Sequence, residues 1–280
     1  MKQELSKKTR TESDLIGSRE VPESALYGVQ TLRGIENFRI SKFHLNEYPL
    51  FIQALAITKM GAAIANRELD LLTKEQTDAI LKACKEILEG KYHDQFPVDM
   101  IQGGAGTTTN MNANEVIANR ALELMGHQRG EYQYCSPNDH VNRSQSTNDA
   151  YPTAIHIGLY YTHLKLVKHF ETLIQSFRKK GEEFANIIKM GRTQLEDAVP
   201  MTLGQTFNGF ASILEHEVKN LDFAAQDFLT VNMGATAIGT GITAEPGYAE
   251  KCIAALGKIT GRDIKLADDL IGATSDTSCM

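Results

Sequence analysis

Nowhere does this chain hold the run of roughly 18 to 20 apolar residues that a bilayer-spanning helix requires, so no such helix is expected. Its first residues, MKQELSKKTRTESD, lack the apolar core of a secretory signal, and the expected compartment is the cytoplasm. The four cysteines, Cys84, Cys135, Cys252 and Cys279, are far apart, with no Cys-x-x-Cys pair or Cys/His cluster. Neither structural zinc nor a disulfide framework is expected, and each reads as a plain thiol. A basic stripe is missing too: the net charge is −6, which argues against nucleic acid as a partner. Arg178 to Lys180 is the one concentrated basic patch away from the N-terminus, and it reads as a solvated helix face. The glycine-rich run Gly234 to Gly241 (GATAIGTG) lacks the preceding strand and the GxGxxG spacing of a dinucleotide loop. His93, His140, His163 and His216 have no partners at metal-ligand spacing and read as surface or helix-face residues. No metal and no cofactor are expected.

What the chain has is helical periodicity. Its 280 residues, 42% hydrophobic and 23% charged, suit a globular protein with a large core. From Pro152 to Ile188, Leu159, Leu166, Phe170, Leu173, Phe177 and Phe184 recur at spacings of three, four or seven, which paints one face of a long helix. Phe207, Phe210, Leu214, Val218, Leu221, Ala225 and Phe228 do the same over Gln205 to Val231. A short loop with Gly191 and Pro200 separates the two, which predicts an antiparallel pair. Further helices are expected over Pro49 to Ala65, Thr73 to Leu88 and Met111 to Met125. Strand signals are few. The expected fold is mainly α: a smaller N-terminal helical domain over 1–136, then a bundle of long helices over 137–280. Helices this long carry apolar stripes that one copy is not expected to cover.

Three polar motifs each run into a helix-forming stretch: GGAGTTTNMNANE (Gly103 to Glu115), SQSTND (Ser144 to Asp149) and GRTQLEDAVPMTLGQ (Gly191 to Gln205). A polar loop feeding a helix start offers unpaired backbone N–H groups and hydroxyl donors at the positive end of the helix dipole, which suits an anion. Three of them suggest a pocket for a small carboxylate. Taken singly, each has a plainer reading. Thr107 to Thr109 with Asn110 could be a helix cap after a flexible lead-in, Asn148 or Asp149 could cap the helix containing Pro152, and Thr193 and Gln194 could sit in an ordinary loop.

Together with DLIGSREVPESALYGVQTLRGIENF (Asp14 to Phe38), these motifs resemble the aspartase and class II fumarase superfamily, and its aspartate ammonia-lyases most closely. The resemblance runs from about Arg10 to Ser278 and implies a fumarase/aspartase-like bundle of long helices assembled into a homotetramer with shared active sites. It implies that Thr107 contacts substrate, that Ser146 and Thr147 hold a β-carboxylate, and that Asn148 lies by the leaving amino group. Thr193 falls on the α-carboxylate side with Gln194 beside it. Arg33, in YGVQTLR, falls where such enzymes keep an arginine near the active site, and an ordinary ion pair there is an equal alternative. The SPND run, Ser136 to Asp139, matches a second carboxylate-binding loop in which fumarases have His in place of Ser136. Gln194 stands where fumarases more often show His and cannot carry a proton near neutral pH, and Ala105 stands where they tend to show Ser. Both favour an amino substrate over a hydroxy one.

The activity implied is elimination of ammonia from L-aspartate to give fumarate, in both directions. Fumarate hydratase is the first alternative, and a catalytically dead oligomerising fragment is the second. The superfamily's loop of the form GSSxMPGKxNP, which carries the serine general base, has no match here and would fall beyond residue 280. The chain is therefore read as C-terminally truncated, with no catalytic base of its own and no expected turnover alone.

Overall fold

The computed structural model describes residues 8–278, so Cys279 lies outside them. The chain forms two compact units: one runs to Leu159 and resumes at Leu229, and the other is Tyr160–Phe228. Among the described residues eight α-helices dominate, with three two-stranded sheets.

The first unit opens with an antiparallel hairpin, β1 (Thr9–Asp14) and β2 (Gly17–Pro22), followed by α1 (Val29–Asn37). Its centre is α2 (Pro49–Glu68), apolar nearly all round, with Ile52, Leu55, Ile57 and Met60 buried. Such a helix needs neighbours on every side. They are α3 (Lys74–Leu88), α4 (Thr107–Leu124) and α7 (Tyr248–Thr260). Gly61 makes room for α7, since a Cβ there would lie 2.7 Å from the Leu256 side chain. Thr73 starts α3 with a capping box: its hydroxyl accepts from the Gln76 amide while the Gln76 side chain accepts from the Thr73 amide. The same unit closes with β5 (Thr230–Val231) parallel to β6 (Lys265–Leu266) and with α8 (Leu270–Ser275).

The longest helix, α5 (Thr147–Glu183), begins in the first unit and continues into the second. The second unit pairs its later turns with α6 (Leu203–Ala224). Phe177 meets Phe207 and Phe210, Phe184 meets Phe207, and His163 bonds Asp222 at 2.9 Å. Rising numbers on one helix meet falling numbers on the other, so the expected antiparallel pairing holds. The expected loop between them is instead a hairpin, β3 (Ile188–Thr193) and β4 (Glu196–Thr202). Gln194 and Leu195 form its turn with φ of 45° and 69°, the positive pair that a two-residue hairpin turn demands. Of the histidines read as surface or helix-face residues, His163 lies on the face of α5, buried and bonded to Asp222 of the facing helix. Arg178 is not freely solvated either: its guanidinium binds Glu215 and Asn208.

Two helix starts differ from the periodicity. Helix α4 begins at Thr107, four residues before the expected start, because Gly106 turns the chain at φ 89° without a side-chain cap. Helix α5 begins at Thr147 and runs straight through Pro152. Proline removes the bond to the carbonyl four residues back. That carbonyl belongs to Asn148, and Asn232 donates to it at 3.0 Å from a distant loop.

Candidate active site

The first turns of α4 and α5 meet within the first unit. Gly106 packs under Tyr151, where a Cβ would fall 2.6 Å from the ring. One turn along, the Asn110 amide donates to the Thr147 hydroxyl oxygen at 3.2 Å. Two helix N-termini side by side bring two positive dipole ends to one place.

Each donor has a definite local setting. Thr107 is exposed, and its hydroxyl donates to the Gly104 carbonyl at 2.6 Å. Ser146 and Asp149 cap α5 reciprocally: the Ser146 amide donates to the Asp149 carboxylate at 2.9 Å, and the Ser146 hydroxyl accepts from the Asn148 amide. Asn148 donates to the Ala237 carbonyl at 2.7 Å. Asp149 is fully buried and also accepts from the Gly234 and Thr236 amides, which pins the GATAIGTG run against the start of α5. Burial pushes its carboxyl up to about 6, while the amides of Thr236, Ser146 and Gly234 pull the other way.

Arg33 on α1 stands beside this region, since its neighbour Gly34 packs on Thr108 of α4. Its guanidinium is engaged: it binds Asp14 through two nitrogens at 2.8 and 2.9 Å and also the Gly17 carbonyl. That hydrogen bonding holds the Asp14 carboxyl below its usual range. Ser136 has spent its hydroxyl on Asp139, donating to the carboxylate at 2.9 Å while accepting from the Asp139 amide. The Ser136 hydroxyl hydrogen is thus engaged within the SPND run itself. In the second unit Thr193 ends β3, paired with Glu196, and Gln194 is the first residue of the β3–β4 turn.

Beneath the donors lies a side chain that motif reading missed. Lys59, in the middle of α2, is 1% exposed. Its ammonium donates to the side-chain oxygens of Asn110, Gln145 and Asn142 at 2.7, 2.8 and 3.0 Å. Burial pulls its pKa down to about 7, and the charge of Asp149 works against that. The signal was there to read: a lone lysine amid LAITKMGAAIA, where every turn is otherwise apolar. Glu115, at the end of the first motif, was also overlooked as a structural anion; it accepts the Gly28, Gln30 and Thr31 amides and so caps α1 from α4. Among the described residues no cluster of His, Cys, Asp and Glu is arranged to hold a metal ion.

A profile of a lyase family matches residues 17–279. The chain belongs to this lyase family. Its similar relatives include the aspartate ammonia-lyases of Pseudomonas aeruginosa, 56% identical over 96% of the chain, and of Escherichia coli K12, 54% identical over 97%. In each case the chain spans 57% of the relative's length. Among solved structures, the fumarate lyase:delta crystallin of Brucella melitensis bound to cobalt superposes with a TM-score of 0.93 at 49% identity, over 97% of this chain and 59% of that one. The class II fumarase of Schistosoma mansoni gives 0.87 at 34%, over 95% and 59%. The mainly α, long-helix lyase architecture expected from the motifs is therefore the one this family member has.

Proposed function

We propose that the site at the α4 and α5 N-termini binds L-aspartate and fumarate, and serves the elimination of ammonia from the one to give the other. The observation that carries this reading is the convergence of two helix starts lined by Thr107, Ser146, Thr147 and Asn148. The similarity to aspartate ammonia-lyases supports the choice of substrate.

Elimination removes a weakly acidic proton from the carbon next to the β-carboxylate, and that carboxylate must take up the developing charge. Fixed neutral donors stabilise it without reorganising, each typically worth about 3 kcal/mol. Ser146 and Thr147 fill that role, Thr107 joins them once its hydroxyl turns from the Gly104 carbonyl to the ligand, and Asn148 orients the amino group. The α-carboxylate role of Thr193 and Gln194 rests on the family resemblance alone, and Arg33 stands at this site with its guanidinium held by Asp14 and the Gly17 carbonyl. No member of this donor set has a free base, because Asp149 is spent on three amides, so the proton acceptor lies outside it. The enzyme works as a homotetramer with shared active sites, in the cytoplasm. Leu173 on α5 and Ile213 on α6, 42% and 60% exposed, belong to the apolar surface that assembly would cover.

Calorimetric titration of the chain with L-aspartate, fumarate and L-malate, alongside fumarate formation followed by ultraviolet absorbance, tests the reading. Aspartate and fumarate should bind, and Thr147→Val should weaken both by about tenfold or more. Failure of all three dicarboxylates to bind refutes it, and fumarate formed from malate but not aspartate moves the chain to hydratase chemistry.

A further inference from the structure

We infer that Lys59 is a positioning residue for this site: its ammonium holds the carbonyl oxygen of Asn110, which turns the Asn110 amide toward Thr147 and leaves the Thr147 hydroxyl hydrogen for a bound carboxylate. The inference rests on the functional reading above.

The argument is one of hydrogen-bond inventory. An ammonium has three donors and no acceptor. Lys59 spends all three on side-chain oxygens, those of Asn110, Gln145 and Asn142. Asn110 is 1% exposed, so its orientation is decided by these neighbours and not by water. With its oxygen at 2.7 Å from the ammonium, its NH2 group must point away, and it donates to Asn142 at 3.1 Å and to Thr147 at 3.2 Å. A hydroxyl has one hydrogen and two lone pairs. Once Thr147 accepts from Asn110, its hydrogen has no business there and is available to an incoming anion. Remove the ammonium, and Asn110 is free to rotate and accept from Thr147, which reverses the polarity of the donor.

Charge points the same way. None of the three groups bonded to Lys59 is a carboxylate, so its hydrogen bonds are satisfied while its charge is not neutralised at contact. Buried charges of this kind are usually paired. A dicarboxylate seated on Thr147 would supply negative charge through a chain of three hydrogen bonds, by way of Asn110 and Thr147.

A double-mutant cycle tests this. Fumarate affinity is measured by calorimetry for the unaltered chain, Lys59→Met, Thr147→Val and the double variant. Each single change should weaken binding by about tenfold or more, and the double variant should bind about as well as Thr147→Val alone. A purely structural lysine would lower affinity by the same factor in both backgrounds, and multiplied losses overturn the proposal. Lys59→Met binding as tightly as the unaltered chain also overturns it. If the unaltered chain binds no fumarate, the functional reading itself falls, a different result from either of these. Should Lys59→Met fail to fold, the side-chain amide resonance of Asn110 in the unaltered chain decides. It must shift as fumarate saturates, because its acceptor has become a ligand donor, and an unmoved resonance in the bound state overturns the proposal.

Discussion

Replacing Gly106 with alanine should be the most damaging single methyl in the first motif. Gly106 holds φ 89°, a left-handed conformation that costs an L-residue about 1 to 2 kcal/mol. The new Cβ would also lie 2.6 Å from three atoms of the Tyr151 ring. That ring cannot retreat freely, because it packs edge-on against Phe51 with centroids 5.7 Å apart. Overpacking of this kind costs about 1 to 3 kcal/mol, for a total of about 2 to 5. With a urea m-value of about 3 kcal/mol/M, the unfolding midpoint should fall by about 1 M. Gly103→Ala is the matched control: its φ is ordinary and its nearest neighbour, the Phe38 ring, is 3.5 Å away, so it should be neutral within about 0.5 kcal/mol. In a Tyr151→Ala background the clash vanishes and only the backbone cost of about 1 to 2 kcal/mol should remain. Equal midpoints for Gly106→Ala and Gly103→Ala would refute the claim that two helix starts meet over this glycine.

The Asp149 carboxyl should titrate near 6 by carbon NMR, not near the ordinary 3.8. A native value above the unfolded one means that the folded state binds the proton more tightly. Its contribution is complete below 3.8 and is lost as pH rises through about 6. The difference corresponds to about 3 kcal/mol, so Asp149→Asn should flatten that part of the stability curve, and an unchanged slope would refute the assignment. On α6, Ile213→Glu places a charge where assembly is proposed, and sedimentation velocity should show a shift to smaller species. Identical mass distributions for variant and parent would remove α6 from the interface.

What could be read from the sequence divides according to the distance at which the deciding partner lies. The apolar spacing of Phe177, Phe184, Phe207 and Phe210 is a local property, and those rings do meet across α5 and α6. Thr73 likewise announces α3 through Gln76, three residues on. Helix α5 could not be started correctly this way. Pro152 looked like a first-turn residue, yet the carbonyl it orphans is taken by Asn232, 84 residues away. The β3–β4 turn also left no trace, since Gln194 and Leu195 adopt positive φ without the glycine or asparagine that usually signals it. The site follows the same rule. Thr107, Ser146, Thr147 and Asn148 stood out because polar residues before a helix have a local reason to be there. The residues that aim them do not: Lys59 reaches Asn110 over 51 positions, and Asn110 reaches Thr147 over 37. A buried amide side chain has no preferred direction until a donor-only or acceptor-only neighbour fixes one, so its role is decided by the fold and becomes visible only there.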